Sequence, residues 1–306
     1  MSSIIAVQNL GKKFHDKTVV DCISFEVQRG SLFAFLGQNG AGKTTTINMI
    51  IGLLQRDGGD ILYDGVSDFT AFKNKIGVVF QNNILDDLLT VEENLLTYGA
   101  LYIKSRTELA ARFEVILDLL SLRPFVKQRF KTLSGGQKRK AEIARALFMS
   151  PAILFLDEPT TGLDPKTRAE VWQLITALKN EHGMTIFLTT HYMEETAAAD
   201  SVAIIDRGKI IATGSPAELK AKYTFDQLRI TPFDAAILER QLAAAGTEWQ
   251  RTADTYTVRI DGAAASIDLL VKLKDNIRFY EVIKGSMDDV FLNVVGKVLG
   301  TDGGAV

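Results

Sequence analysis

Thiol and imidazole are nearly missing from the 306 residues: Cys22 stands alone, and there are three histidines. A single cysteine forms no internal disulfide, which suits a reducing compartment. The same scarcity argues against a structural zinc site. No apolar run approaches the ~20 residues that a membrane-spanning helix needs. The longest runs are short, such as Ala152 to Leu156; if the protein works at a membrane, another chain supplies the span. The opening MSSIIAVQNLGKKF lacks the long apolar region and cleavage site of a secretion leader, so none is expected. Charge of one sign is absent too. Lys and Arg number 35, Asp and Glu 37, for a net charge of −2. That balance speaks against a general nucleic-acid binder, although it allows a local basic patch. What is present is ordinary for a globular chain, 46% hydrophobic and 24% charged, which excludes disorder and collagen-like repeats.

The length suits two domains or one large one at about 150 residues each. Through residue 223 the pattern is mostly α/β. IIAVQNL and the alternating CISFEVQ read as strands. LFAFLG then runs into a glycine-rich loop and the helix-like TTTINMIIGLL, the start of an α/β unit. DILYDG and KIGVVFQ return to strand, and from about residue 90 to 150 the pattern is helical. Thr90 with Glu93 and Ser105 with Glu108 fit capping boxes, and Leu109, Phe113, Ile116, Leu117 and Leu120 share one helical face. AILFL is a continuous apolar strand of the kind buried on both faces of a parallel sheet, and MTIFLTT is the next strand. Residues 224–306 read differently, with strands and helices in the order β-α-β-β-α-β. Helices are expected at Phe233 to Ala245, around Ser266 to Leu273, and from Ser286. This order suits a small ferredoxin-like α+β domain.

Three segments carry chemistry. Residues 37–44, GQNGAGKT, fit G-x-x-x-x-G-K-[ST], the phosphate-binding loop. Gly37, Gly40 and Gly42 let the backbone N–H groups of Gln38, Asn39 and Ala41 turn toward phosphate oxygens. The helix that follows adds its positive end, Lys43 a flexible cation and Thr44 a hydroxyl for Mg²⁺, with Thr45 beside it. The second segment is ILFLDEP. Asp157 ends an apolar strand, where open α/β sheets bind ligands, and is placed to hold Mg²⁺. Glu158 is a candidate to orient or deprotonate water. The third is LSGGQ, in which Ser134, Gly135, Gly136 and Gln137 open an amphipathic helix. It reads equally as an anion-binding helix end and as a plain capping box.

In their order, GQNGAGKT, Gln81, LSGGQ, ILFLDEP, TGLD and His191 resemble the ATP-binding cassette (ABC) ATPases over roughly residues 4–220. The resemblance implies a P-loop cassette with a mixed sheet core, an antiparallel β subdomain and a helical subdomain at about residues 82–150. It implies ATP and Mg²⁺ as ligands. By resemblance, Phe14 matches the aromatic that stacks on adenine, with Phe in place of the usual Tyr. Gln81 matches the glutamine that contacts Mg²⁺ and the attacking water, Glu158 the catalytic glutamate, Asp164 the D-loop aspartate and His191 the switch histidine. The LSGGQ signature is expected to complete the ATP site of a second copy, so a homodimer is expected, with a heterodimer also open.

GSMDDVFLNVVG, residues 285–296, and TGLDPKTRAEVW resemble the cassette subunits of type-two ABC exporters, drug-resistance exporters among them. The resemblance implies export through separate transmembrane permease subunits, with the chain peripheral on the cytoplasmic face of the membrane. The alternatives are an importer cassette and a soluble non-transport cassette ATPase. The latter usually carries fused cassettes, coiled-coil insertions or basic tails, none of which is seen here.

Overall fold

The computed structural model describes residues 2–260 and 262–301, and the chain divides between Ser215 and Pro216 into two compact units. In the first, β1 (Ser3–Phe14) and β2 (Lys17–Gln28) form a hairpin. Then follow β3 (Leu32–Leu36), α1 (Lys43–Ile50), β4 (Gly58–Tyr63), the single turn α2 (Phe69–Phe72) and β5 (Ile76–Val79). Three helices come next: α3 (Val91–Ala100), α4 (Arg106–Leu119) and α5 (Gly135–Leu147). The unit ends with β6 (Ile153–Asp157), α6 (Pro165–His182), β7 (Thr185–Thr190), β8 (Ser201–Asp206) and β9 (Lys209–Gly214).

Two sheets share one core. The antiparallel sheet runs β2-β1-β4 and the six-stranded sheet β5-β6-β7-β3-β8-β9, parallel except for the β8–β9 hairpin. Every residue of β3, β6 and β7 is buried, as expected of parallel strands covered on both faces. Between the sheets, Phe187 meets Phe33 at a centroid distance of 5.3 Å, Phe155 at 5.2 Å, Phe35 at 5.8 Å and Phe25 at 5.9 Å. The expected sheet core, antiparallel subdomain and helical segment are all present.

The local signals also hold, with adjusted ends. Thr90 and Glu93 close a reciprocal capping box, as do Ser134 and Gln137. At Ser105 only half of it forms: the hydroxyl accepts from Glu108 N. Helix α1 stops at Ile50 rather than running on to Leu54, because Gly52 turns to a φ of 73°.

The second unit consists of α7 (Pro216–Tyr223), β10 (Asp226–Pro232), α8 (Ala235–Ala244), β11 (Trp249–Thr252), β12 (Thr255–Ile260), α9 (Gly262–Leu273), β13 (Ile277–Ile283) and α10 (Met287–Thr301). Its antiparallel sheet has the order β11-β12-β10-β13, the arrangement of the β-α-β-β-α-β reading. Leu238 and Leu242 of α8 and Leu269 and Leu273 of α9 pack on Leu228, Ile230, Tyr256 and Val258. Buried Asn276 exchanges two hydrogen bonds of 2.8 Å with the backbone of Asp234. Asp234 caps α8 by accepting from Ile237 N, which leaves Phe233 outside the helix. Helix α9 begins at Gly262, ahead of the expected Ser266. Helix α7 groups with this unit, against α10, where Asn293 donates to Tyr223 O at 2.8 Å.

Phe187→Ala removes the ring shared by the whole aromatic cluster. We expect a loss of about 3–5 kcal/mol, read as a lower urea midpoint for unfolding. An unchanged midpoint would mean that the cluster does not hold the two sheets together.

Candidate active site

The parallel strands β5, β6, β7 and β3 end level. Val79 lies opposite Leu156, Asp157 opposite Thr189, and Leu36 opposite Thr190. The segments leaving these carboxyl ends therefore start side by side, where open α/β sheets receive ligands. They carry Gln81, Glu158, His191 and the loop Gly37–Thr44.

The loop is shaped by two glycines. Gly37 N–H donates to Thr190 O at 3.1 Å, and a Cβ there would lie 2.5 Å from Ile205 O. Gly42 has a φ of 109°, and its Cβ would meet Val19 O at 2.8 Å. Neither position admits a side chain without moving backbone. Gly42 is the N-cap of α1, so the first N–H groups of that helix open onto the loop.

Lys43 is 4% exposed. Its ammonium donates to Gly37 O at 2.8 Å and Gln38 O at 3.1 Å, and lies 3.0 Å from Glu158 Oε1. The other carboxylate oxygen, Oε2, accepts from Gln81 Nε2 at 3.3 Å and Thr161 Oγ1 at 3.1 Å. His191 Nδ1 is 3.2 Å from the same oxygen but off the line that a hydrogen bond needs, and this buried nitrogen has no other partner. Glu158 takes a left-handed φ of 46°, rare for a residue with a side chain. Burial pushes its carboxyl up. The adjacent Lys43 ammonium, helped by His191 and the Thr161 hydroxyl, outweighs this and holds it below the usual carboxylate range.

Asp157 sits beneath. Thr44 Oγ1 donates to Asp157 Oδ2 at 3.1 Å and Thr189 Oγ1 to Asp157 Oδ1 at 2.5 Å. Thr189 Oγ1 also accepts from Glu158 N at 3.0 Å. A hydroxyl and one carboxylate, with Gln81 close by, are the oxygen donors a hard cation takes when substrate phosphates supply the rest. Among the described residues no group of three or more His, Cys, Asp or Glu could hold a metal ion.

The other sequence candidates lie elsewhere. Phe14 is 43% exposed at the end of the β1–β2 hairpin, with Lys12 Nζ 5.5 Å from its ring centroid. Ser134 and Gln137 cap α5 by bonds of 3.3 and 2.9 Å. Gly136 packs on the start of α6, since a Cβ there would lie 2.4 Å from Thr167 Cγ2, and Gly135 packs on Leu163 just before that helix. Asp164 caps α6 by accepting from Thr167 N at 3.1 Å.

Sequence reasoning missed a buried trio on α5. Arg139 donates to Phe80 O at 2.7 Å and Gln81 O at 3.2 Å. Glu142 accepts from Ile84 N at 2.6 Å and Leu85 N at 2.9 Å, while Arg145 pairs with Glu142 at 3.1 Å and donates to Val78 O. This trio frames the segment that bears Gln81. Its signal was three charges spaced i, i+3, i+6 in a helix whose other buried residues past its first turn are Ala141, Ile143, Ala144, Ala146 and Leu147.

Residues 20–161 match the family model described as ABC transporter. A relative, the linearmycin resistance ATP-binding protein LnrL of Bacillus subtilis, is 35% identical over 97% of this chain and 99% of its own. This chain belongs to the ATP-binding cassette family. Residues 214–295 of the cassette match a second model, the C-terminal domain of DrrA1-3-like ATP-binding proteins. The Nod factor export ATP-binding protein I of Burkholderia lata is 35% identical over 96% of this chain and 97% of its own. The solved dimer of the cassette MJ0796, bound to ADP and Pi, superposes with a TM-score of 0.62 at 27% identity, covering 69% of this chain and 98% of that one. The cassette is thus a nucleotide-binding ATPase subunit of the exporter-type branch. Among the described residues no helix is long and apolar enough to cross a membrane.

The Glu158 carboxyl sits below its unfolded value of about 4.3. The stability it contributes is complete above that value and is lost as pH falls through the lower folded one. Without nucleotide, Glu158→Gln should unfold at lower urea than the parent at pH 7, and the gap should close as pH drops below about 4. A gap constant with pH would contradict the Lys43–Glu158 pairing.

Proposed function

We propose that this cassette is the ATP-hydrolysing motor subunit of an exporter. It works with separate transmembrane permease subunits, peripheral on the cytoplasmic face of the membrane, and in a pair with a second copy of itself. The observation that carries the reading is the convergence of Lys43, Gln81, Thr161 and His191 on the one carboxylate of Glu158, beside a loop open to phosphate.

The geometry of the loop and of Glu158, together with the family resemblance of the other residues, supports the following roles. The loop from Gly37 through Gln38, Asn39, Gly40, Ala41 and Gly42 to Lys43, Thr44 and Thr45 binds the ATP phosphates by backbone N–H groups and the Lys43 ammonium. Phosphate draws that ammonium from the loop carbonyls and from Glu158, which frees the carboxylate to take a proton from water. Thr44, Asp157 and Gln81 would hold Mg²⁺, which neutralises developing phosphate charge. His191 stabilises the terminal phosphate, and Phe14 stacks on the base from its exposed hairpin. Ser134, Gly135, Gly136 and Gln137 meet the ATP of the second copy, with Asp164 beside them on α6. The ATPase work belongs to the first unit. The second unit is an appended domain whose resemblance to the DrrA1-3-like C-terminal domain favours export over import.

Glu158→Gln should lower turnover by roughly 10²–10⁴ while ATP binding persists, and Lys43→Ala should weaken ATP binding itself. Membranes solubilised with Mg-ATP should yield a stoichiometric multi-span protein on a tagged Glu158→Gln chain. Near-parental hydrolysis by Glu158→Gln would remove Glu158 from its role, and recovery of soluble partners only would sink the transporter reading.

A further inference from the structure

One buried carboxylate near the site has no part in the chemistry described so far. Glu195, in the 3₁₀ segment Met193–Ala198, is 4% exposed. Oε1 accepts from the hydroxyl of Thr160 and Oε2 from that of Thr190, and both threonines are fully buried. The network runs one step further, because Thr190 Oγ1 accepts from Tyr192 N at 2.9 Å. Thr160 lies two residues after Glu158 in a turn closed by Leu163 N donating to Thr160 O at 3.1 Å. Thr190 is the residue before His191. A single side chain therefore ties the turn that bears Glu158 to the turn that bears His191.

The choice of residue is costly for folding. Among the described residues no cation pairs with Glu195, and Arg168 pairs with the neighbouring Glu194 instead. A carboxylate buried on hydroxyl donors alone carries a desolvation cost that an apolar side chain of similar size would avoid. What the carboxylate supplies is two charge-assisted bonds of fixed direction, one to each turn. The Glu158 turn needs such a tie, since its backbone sits at a φ of 46° and has a local alternative in the ordinary β region.

We propose that Glu195 is a positioning residue for ATP hydrolysis. It locks the Glu158 and His191 turns together so that His191 Nδ1 and Glu158 Oε2 stay within the 3.2 Å seen here. The proposal rests on the assignment of Glu158 and His191 to hydrolysis. Glu195 touches neither side chain and acts through Thr160 and Thr190.

The test is steady-state ATPase kinetics on the full chain. Thr160→Val and Thr190→Val keep shape and lose the hydroxyl donor. Each should lower kcat by about tenfold or more and leave KM for ATP within about twofold, as expected when catalytic groups are misplaced but binding is intact. Thr160→Ser and Thr190→Ser keep the donor and should restore kcat, which a packing role would not produce. Adding Thr160→Val to Glu195→Gln should cost less than Thr160→Val alone, because the two act on one bond. The proposal is overturned if the valine variants turn over like the parent, if the serine variants lose as much as the valine ones, or if the loss is in KM alone. Glu158→Gln separates the two readings. If it still hydrolyses ATP, the site assignment fails; if it is silent while the valine variants run normally, only the role of Glu195 fails.

Discussion

The level ending of four parallel strands is the constraint from which the rest of the site follows. Gln81, Glu158, His191 and the Gly37–Thr44 loop are far apart in sequence, and no local signal brings them together. The register pairs of β5, β6, β7 and β3 do. That register is held by side chains with no chemistry of their own, chiefly the phenylalanines clustered about Phe187 between the two sheets. A slip along any one strand would move a catalytic group by one residue rise, about 3.3 Å, which is more than a hydrogen bond tolerates.

Within that frame the electrostatics are arranged to be undone. Lys43 and Glu158 are both buried, and each offsets the desolvation of the other. The loop carbonyls of Gly37 and Gln38 complete the ammonium's partners. A phosphate entering the loop is a stronger partner for Lys43 than neutral carbonyls, so ligand entry redistributes bonds already made. Before any ligand enters, the positive groups around Glu158, Lys43 foremost, outweigh its burial and hold its carboxyl below the usual carboxylate range.

Much of this was legible in the sequence, and the physics says why. The continuous apolar run Ala152 to Leu156 marks a buried parallel strand, and its ending in Asp157 places a carboxylate at the ligand edge. The glycines at 37 and 42 are demanded by backbone atoms that leave no space for a Cβ, a requirement that survives as a motif. Helix ends were less legible, since Gly52 and Asp234 decide them by one backbone angle and one capping bond. The threonines were not legible at all. Thr189, Thr160 and Thr190 look like ordinary strand-end and turn residues, and only the fold shows their hydroxyls aimed at Asp157 and Glu195.

The buried trio on α5 makes the same point for a whole helix. The LSGGQ end of α5 packs on α6, while Arg139 and Glu142 farther along hold the backbone on either side of Gln81. These bonds are charge-assisted and shielded from water, so breaking one leaves a buried charge short of a partner, at a cost of several kcal/mol. A displacement at the signature end is therefore more cheaply met by moving the helix and the Gln81 segment together than by parting them. Gln81 donates to Glu158. The helix thus joins a surface motif to a carboxylate in the site through four backbone hydrogen bonds, made by two residues whose charges a reading of composition would have put on the outside.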